Sequence, residues 1–152
     1  MKVWVDYVTT RILPAYHRFL QHTEKSPYRL EKARSELLNA LKTWIEAADP
    51  EGPFFNGKDF TFGDVCLAPW SSRMWVLDHF KGGLGIPAPG QGGEDEQVWN
   101  RWRKWTEAVQ SRKSITETMS DRAHYMPIYQ RYAEDRAQSE MAKAIREGRG
   151  VP

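Results

Sequence analysis

The sequence predicts an all-α fold, a helical bundle of five to six helices. Apolar residues recur every three or four positions over long segments, and helix start and stop signals bound those segments. No segment of useful length alternates apolar and polar residues as a β-strand would. Seven Trp, six Tyr and six Phe supply the apolar area for a core. The 152 residues contain no internal repeat and are therefore predicted to form one domain.

The first predicted helix covers residues 3–22, and Pro14 lies inside it. Because proline has no N–H group, we expect the turn before Pro14 to be kinked or loosened. A second helix is predicted to begin at Ser26-Pro27, with Ser as the cap and Pro at the first helical position, and to end before Asp49-Pro50.

Four further helical segments and one loop complete the prediction. A third helix is predicted from Phe62 to about Phe80, and residues 81–94 are rich in Gly and Pro and are predicted to be a loop. Helical patterns then cover residues 96–112, a short piece at 114–119, and 125–146.

The start of the third helix carries the clearest local signal in the chain. Asn56-Gly57 favours a turn that needs a left-handed backbone conformation. Thr61 then stands three residues before Asp64, which is the spacing of a capping box. In a capping box each side chain accepts a hydrogen bond from a free backbone N–H near the other. Thr61 and Asp64 are therefore predicted to be the structural cap of this helix.

Composition and charge exclude several functional classes. A formal net charge of +2 is too small to require nucleic acid or an anionic membrane as a partner. No apolar run approaches the roughly 20 residues that span a bilayer, and the N-terminus does not resemble a signal peptide. The single cysteine, Cys66, excludes an intrachain disulfide and fits a reducing compartment. We expect a cytoplasmic globular domain with no membrane and no nucleic-acid partner.

The segment from Pro53 to Trp75 resembles the capped central helix in the all-helical C-terminal domain of glutathione transferases. The run Ala68-Pro69-Trp70-Ser71-Ser72-Arg73 is similar to the omega-like branch, in which a Pro-Trp pair and an Arg three residues later lie on that helix. The resemblance extends from Trp4-Val5-Asp6 to Arg101-Trp102-Arg103-Lys104-Trp105. It implies that residues 1–152 form the C-terminal-like helical domain and that the N-terminal thioredoxin-like domain is absent.

The same resemblance implies a function for the intact protein, namely glutathione-dependent thiol transfer or reduction of electrophiles in detoxification. Glutathione would be the co-substrate, and no metal is implied. The glutathione site and the catalytic residue would lie in the N-terminal domain, so this chain alone is expected to be inactive. It would supply the substrate wall and part of a homodimer, formed through the first two helices. The competing class is a non-enzymatic module that binds a protein or a hydrophobic ligand.

The start of the chain bears on this question, since Met1-Lys2-Val3-Trp4 offers no side-chain cap for the first helix. The free N–H groups of that helix could simply be solvated. Alternatively, an upstream segment has been removed, which is the explanation that the resemblance favours.

Trp70 and Arg73 are the first candidate substrate-binding residues, for a small hydrophobic or aromatic electrophile. Their spacing predicts that both side chains share one helical face, where an indole beside a guanidinium can hold a flat or anionic ligand. In the omega-like enzymes the matching positions line the substrate site between the domains. The alternative places Trp70 in the core and pairs Arg73 with an acid such as Asp78. Met74 and Trp75 could extend the apolar wall or pack in the core.

The first helix carries three further candidates. Tyr7 and Arg11 stand one turn apart on it, and in the family this helix forms the opposite wall of the substrate cleft. Asp6 is a candidate contact to the amino end of glutathione, as an acid in the matching helix is in some classes. For all three residues the alternative is a solvated face or a dimer contact.

The remaining features argue against other chemistry. Cys66 is flanked by apolar residues, and apolar burial raises a thiol pKa, so we assign it no catalytic role. The four histidines show no metal-ligand spacing. The basic residues between Arg101 and Trp105 are predicted to be the solvated face of a core-packing helix, since Trp102 and Trp105 share an apolar stripe with Val98 and Val109.

Overall fold

The computed structural model describes residues 1–152 and is all-helical, which confirms the predicted fold class. Its nine α-helices are α1 (Lys2–Tyr7), α2 (Leu13–Gln21), α3 (Leu30–Glu46), α4 (Phe62–Ser71), α5 (Met74–Lys81), α6 (Glu96–Gln110), α7 (Lys113–Thr116), α8 (Arg122–Ala133) and α9 (Glu140–Glu147). None of these helices combines the length and apolar character that crossing a membrane requires.

The loosened turn expected before Pro14 is present. A π-helical turn, Val8–Ile12, joins α1 to α2 without a break in the helix. In an α-helix the nitrogen of residue 14 would bond the carbonyl of Thr10, and proline can neither donate this bond nor avoid crowding that carbonyl. The wider π turn removes the conflict.

The second helix begins later than the sequence predicts, at Leu30 rather than at Ser26-Pro27. The Ser26 hydroxyl accepts a hydrogen bond from the Thr23 N–H at 3.0 Å, and thereby stabilises a turn before the helix instead of capping it.

The predicted third helix is two helices, α4 and α5, which meet at Ser72 and Arg73. Pro69 lies in the last turn of α4 and has no N–H group to donate. The hydroxyls of Ser71 and Ser72 both donate to the Ala68 carbonyl at 2.9 Å. These local hydrogen bonds compete with continuation of the helix.

The predicted C-terminal helix over residues 125–146 is likewise divided into α8 and α9. Asp135 between them has φ 55°, a left-handed conformation that ends α8. The Ser139 hydroxyl then accepts the Ala142 N–H at 3.1 Å and caps α9.

The helix α2 is the centre of the bundle, and it packs against α3, α5, α8 and α9. Its side chains Tyr16, Phe19 and Leu20 are fully buried. A second part of the core lies between α3 and α6, where the buried rings of Trp44 and Trp105 meet edge to face with centroids 5.1 Å apart. Such aromatic contacts add stabilisation beyond the area they bury.

Asp64 fixes the position at which α4 begins. Thr61 and Asp64 occupy the predicted capping-box positions, and Asp64 Oδ2 accepts the Thr61 N–H at 2.8 Å and the Thr61 hydroxyl at 3.0 Å. The other oxygen, Oδ1, accepts the Phe55 N–H and the Trp105 indole N–H, both at 2.8 Å. This carboxylate is fully buried. It therefore joins α4 to the preceding loop and to α6, a role larger than capping.

Two arginines of α6 are less solvated than the sequence analysis expected. The Arg101 guanidinium donates to the carbonyls of Asp49 at 2.8 Å, Pro53 at 3.1 Å and Phe54 at 2.8 Å. Arg103 donates to the Pro87 carbonyl at 2.8 Å. The prediction of a solvated basic face was wrong for these two residues, because a guanidinium has five donors and the nearby loops present free carbonyls.

Candidate functional site

A cavity of about 400 Å³ lies between the junction of α4 with α5, the segment that contains α7, and the start of α8. Its walls combine aromatic, cationic and hydroxyl groups. The residues that line it include Arg73, Trp75, Met119, Ser120, Arg122 and Tyr125.

The structure places Arg73 in the wall of this cavity, at the junction immediately before α5. The buried Tyr16 hydroxyl donates to the Arg73 carbonyl at 2.8 Å, which fixes the backbone at this point. The guanidinium carbon lies 4.8 Å from the Tyr125 ring centroid and 5.8 Å from that of Trp70. Arg73 forms no ion pair, so the alternative pairing with Asp78 is not observed. Its charge is available to a ligand.

Trp70 does not line the cavity, although its ring contacts the Arg73 guanidinium. The indole is half-buried and packs edge to face against Tyr16 and His17, with centroids 5.4 and 5.3 Å away. The expectation that both side chains lie on one helical face is corrected by the end of α4 at Ser71, which leaves Arg73 outside that helix. Trp70 therefore supports Arg73 from the core side.

Of the two neighbouring residues Met74 and Trp75, only Trp75 lines the cavity. Trp75 lines the cavity, and the Arg122 guanidinium carbon lies 4.9 Å from its ring centroid. Met74, the first residue of α5, does not line the cavity and packs against the core.

Sequence reasoning missed Tyr125, the residue that completes the site. Arg73 Nη2 donates to the Tyr125 hydroxyl oxygen at 3.4 Å, and the Ser120 N–H donates to it at 3.1 Å. The hydrogen bond from Arg73, followed by that from Ser120, lowers the pKa of the Tyr125 phenol. Tyr125 is 52 positions from Arg73 in the chain. A helix-start sequence with Arg122 and Tyr125 three apart is too common to have identified it.

Tyr7 and Arg11 lie elsewhere, in a groove between the first helix and α3 that also contains Arg18 and Glu36. Arg18 pairs with Glu36 at 3.1 Å, while Arg11 is exposed and unpaired. The placement of Tyr7 and Arg11 as the wall opposite Arg73 is not found in this cavity, because the groove they line shares no residue with it. Asp6 is exposed, and its side chain forms no ion pair. A contact of these residues with ligand or glutathione remains a prediction.

Cys66 is half-buried, and burial raises the pKa of its thiol, which disfavours the reactive thiolate. No group of three His, Cys, Asp or Glu side chains is placed to hold a metal ion. The cavity thus places Arg73 beside Tyr125, and Cys66 is not among the residues that line it.

Comparison with known proteins identifies the family to which this fold belongs. Residues 27–108, more than half of the chain, match the family described as "Glutathione S-transferase, C-terminal domain". The chain therefore belongs to the glutathione S-transferase family and carries its C-terminal domain, as the resemblance implied.

Two relatives illustrate the similarity. The probable glutathione S-transferase DHAR1, cytosolic, of Oryza sativa subsp. japonica is 32% identical over 118 residues, which cover 77% of this chain and 49% of that protein. Glutathione transferase Omega 3C from Trametes versicolor has a crystal structure that is 30% identical with a TM-score of 0.67, covering 91% of this chain and 53% of that one. The chain spans about half the length of these relatives.

Proposed function

We propose that this chain is the substrate-binding and dimerisation region of a glutathione transferase. In the intact protein it would take part in glutathione-dependent thiol transfer or reduction of electrophiles, in the cytoplasm. The observation that carries the proposal is the unpaired Arg73 guanidinium in the wall of a cavity, next to the Tyr125 ring. A cation that faces aromatic rings and lacks a protein anion suits a flat ligand with negative charge or an electron-rich oxygen.

The site residues then have distinct roles. Arg73 supplies the charge and Trp75 the apolar wall, while Trp70 and Met74 pack behind them and hold the α4–α5 junction. A small hydrophobic or aromatic electrophile would occupy the cavity, with Arg73 on its polar end.

Glutathione is the co-substrate in this proposal, and its site belongs to the half of the relatives that this chain does not cover. The catalytic group would lie there too, since the only thiol of this chain has a raised pKa. The chain alone would not turn over substrate. Asp6 is the residue we propose to reach glutathione, and Tyr7 and Arg11 the residues to reach substrate or a second copy of the chain.

A second candidate function is a non-enzymatic module, in which a protein or a hydrophobic ligand binds to this chain at the cavity beside Arg73. The transcript upstream of the Met1 codon separates the two candidates. An in-frame thioredoxin-like segment with a Cys-Pro turn would support the transferase, and a stop codon close upstream would support the module.

Ligand binding tests the cavity itself. We would measure binding of 1-naphthoate, an aromatic carboxylate, and of its neutral counterpart 1-naphthamide by equilibrium dialysis. We expect affinities in the roughly high micromolar range for a half-open site. Arg73→Gln should weaken naphthoate binding more than naphthamide binding, and Trp75→Ala should weaken both. Arg29→Gln is the control, because Arg29 is exposed and does not line this cavity. Equal binding of both probes by wild type and Arg73→Gln would contradict the assignment.

A turnover assay tests whether this chain contains a catalytic residue of its own. The purified chain should not reduce a mixed disulfide with glutathione. Turnover that disappears in Cys66→Ala would show that the nucleophile lies in this chain and would contradict the proposal.

A further inference from the structure

The hydroxyl of Tyr125 is surrounded by hydrogen-bond donors. Arg73 Nη2 approaches its oxygen at 3.4 Å from the α4–α5 junction, and the Ser120 N–H approaches at 3.1 Å from the turn before α8. A phenol oxygen has two lone pairs and one proton. Because two donors use the lone pairs, the proton is the hydrogen-bonding function that Tyr125 still has available.

The surroundings of Tyr125 direct this donor to a ligand rather than to the protein. Tyr125 is only half-buried and lines the same cavity as Arg73. Its hydroxyl accepts hydrogen bonds from Arg73 and from the Ser120 N–H, which leaves its proton directed away from these two donors. The cavity therefore holds a cation and a free hydroxyl donor side by side, in contact with each other.

We propose that Tyr125 determines the specificity of this cavity by donating a hydrogen bond to a carboxylate oxygen of an aromatic carboxylate. Arg73 compensates the negative charge of that carboxylate. The inference rests on the proposed function, because it names the ligand class of the same cavity. A carboxylate is recognised by a charge and a directed donor together, whereas a neutral aromatic ring needs neither. Tyr125 therefore favours aromatic carboxylates over neutral aromatic ligands.

This arrangement also makes binding depend on pH. Donation from Arg73 and Ser120 lowers the pKa of Tyr125, so the phenol loses its proton below the ordinary tyrosine value of about 10. Above that pKa the donor is gone and the phenolate neutralises Arg73. Carboxylate affinity must therefore fall as the pH rises through the Tyr125 pKa.

Besides Arg73, four other titratable side chains lie near Tyr125, two tyrosines, one arginine and one histidine. Tyr16 from α2 and Tyr129 on α8 are buried, and burial raises the pKa of each phenol, so both ionise at higher pH than Tyr125. The remaining neighbours on α8 are Arg122, which lines the cavity, and His124, whose ring centroid lies 6.4 Å from that of Tyr125. A His124→Asn variant serves as the control for the imidazole.

The test uses Tyr125→Phe, which keeps the ring that contacts Arg73 and removes only the hydroxyl. Tyr129→Phe is the matched control, since Tyr129 lies on the same helix and does not line the cavity. We expect Tyr125→Phe to weaken 1-naphthoate binding about tenfold to hundredfold at neutral pH, the loss typical of a hydrogen bond to a charged group. Binding of 1-naphthamide, whose carbonyl accepts only a neutral hydrogen bond, should weaken less, by about twofold to tenfold.

The pH profile is the second readout. In the wild type and in Tyr129→Phe and His124→Asn, naphthoate affinity should decline as the pH rises through the lowered Tyr125 pKa, and in Tyr125→Phe it should not. Absorbance at 295 nm should report one early-ionising tyrosine that disappears in Tyr125→Phe. Circular dichroism checks that every variant is folded.

The outcomes separate this inference from the proposed function. If the wild type binds neither probe, the cavity is not a ligand site and both proposals fail. If Arg73→Gln loses naphthoate binding but Tyr125→Phe keeps the wild-type affinity and pH profile, only the role of Tyr125 is overturned. Equal weakening of both probes by Tyr125→Phe would show a structural role and would also overturn it.

Discussion

Replacing Asp64 by Asn should remove the hydrogen bonds that one carboxylate oxygen accepts and keep those that the other oxygen accepts. In the wild type, one carboxylate oxygen serves Phe55 and Trp105, and the other serves both donors of Thr61. An amide has one oxygen and one NH2 group, so it can accept from only one of these pairs. Trp105 is fully buried, whereas Thr61 is half-buried and can be partly solvated. We therefore expect the amide oxygen to keep the Trp105 side and Thr61 to lose its acceptor.

The magnitude follows from the hydrogen bonds that are lost. Loss of the helix cap costs about 1–2 kcal/mol, and the NH2 group that then faces the Thr61 N–H brings the total to about 2–3 kcal/mol. Asp64→Ala removes both acceptors and leaves two buried N–H groups unpaired, at about 1–3 kcal/mol each in addition to the cap. Its expected cost of about 3–8 kcal/mol is comparable with the 5–15 kcal/mol that stabilise a typical domain.

Urea denaturation followed by circular dichroism at 222 nm measures these differences. With a slope of about 2 kcal/mol per molar urea, Asp64→Asn should lower the midpoint by about 1–1.5 M. Thr61→Ala, which leaves the Trp105 and Phe55 bonds intact, is the control and should cost about 1–2 kcal/mol. If the Asp64→Asn midpoint equals that of the wild type, the buried carboxylate does not hold α4, the loop and α6 together, and the reasoning is refuted.

Three further predictions concern other parts of the chain. Arg101→Met should destabilise the chain by about 2–3 kcal/mol, because three loop carbonyls lose their donor. Arg103→Met, which vacates one loop carbonyl, should cost less, and equal urea midpoints would contradict this. Cys66 should react with iodoacetamide more slowly than free cysteine at pH 8 and reach the same rate only at higher pH. Burial raises its thiol pKa and so reduces the thiolate fraction. A rate equal to that of free cysteine at pH 8 would show that the thiol is not desolvated. The chain should self-associate through the first helix and α3, where Val3 is 72% exposed. Arg11→Glu, in the groove between these helices, should weaken the association, and sedimentation that shows only monomer at high micromolar concentration would count against it.

The first helix presents apolar side chains to solvent. Met1 and Val3 are exposed, as is Phe62 at the start of α4, which packs against α1, whereas Val8 is 1% exposed and takes no part in this surface. Homodimer formation remains a prediction that rests on these exposed residues.

The sequence by itself determined the fold class, the position of the α4 cap and the change of helical geometry before Pro14. Each of these depends on interactions within a few residues: helical periodicity, a capping box between Thr61 and Asp64, and a missing N–H group. Local chemistry of this kind acts in any surrounding fold. The family resemblance rested on the same local block and was confirmed by comparison over residues 27–108.

Only the tertiary structure decided the site. Arg73 and Trp75 line one cavity with Arg122 and Tyr125, but Tyr7 and Arg11 lie in a separate groove. The pairing of Arg73 with Tyr125 spans 52 positions of the chain and depends on how α8 packs against α2 and α5. The break between α4 and α5 likewise turned one predicted helical face into a junction. Helical periodicity indicates which side of a helix is buried. It does not predict how helices that are distant in the sequence pack together, and this packing brings the Arg73 guanidinium to the Tyr125 phenol.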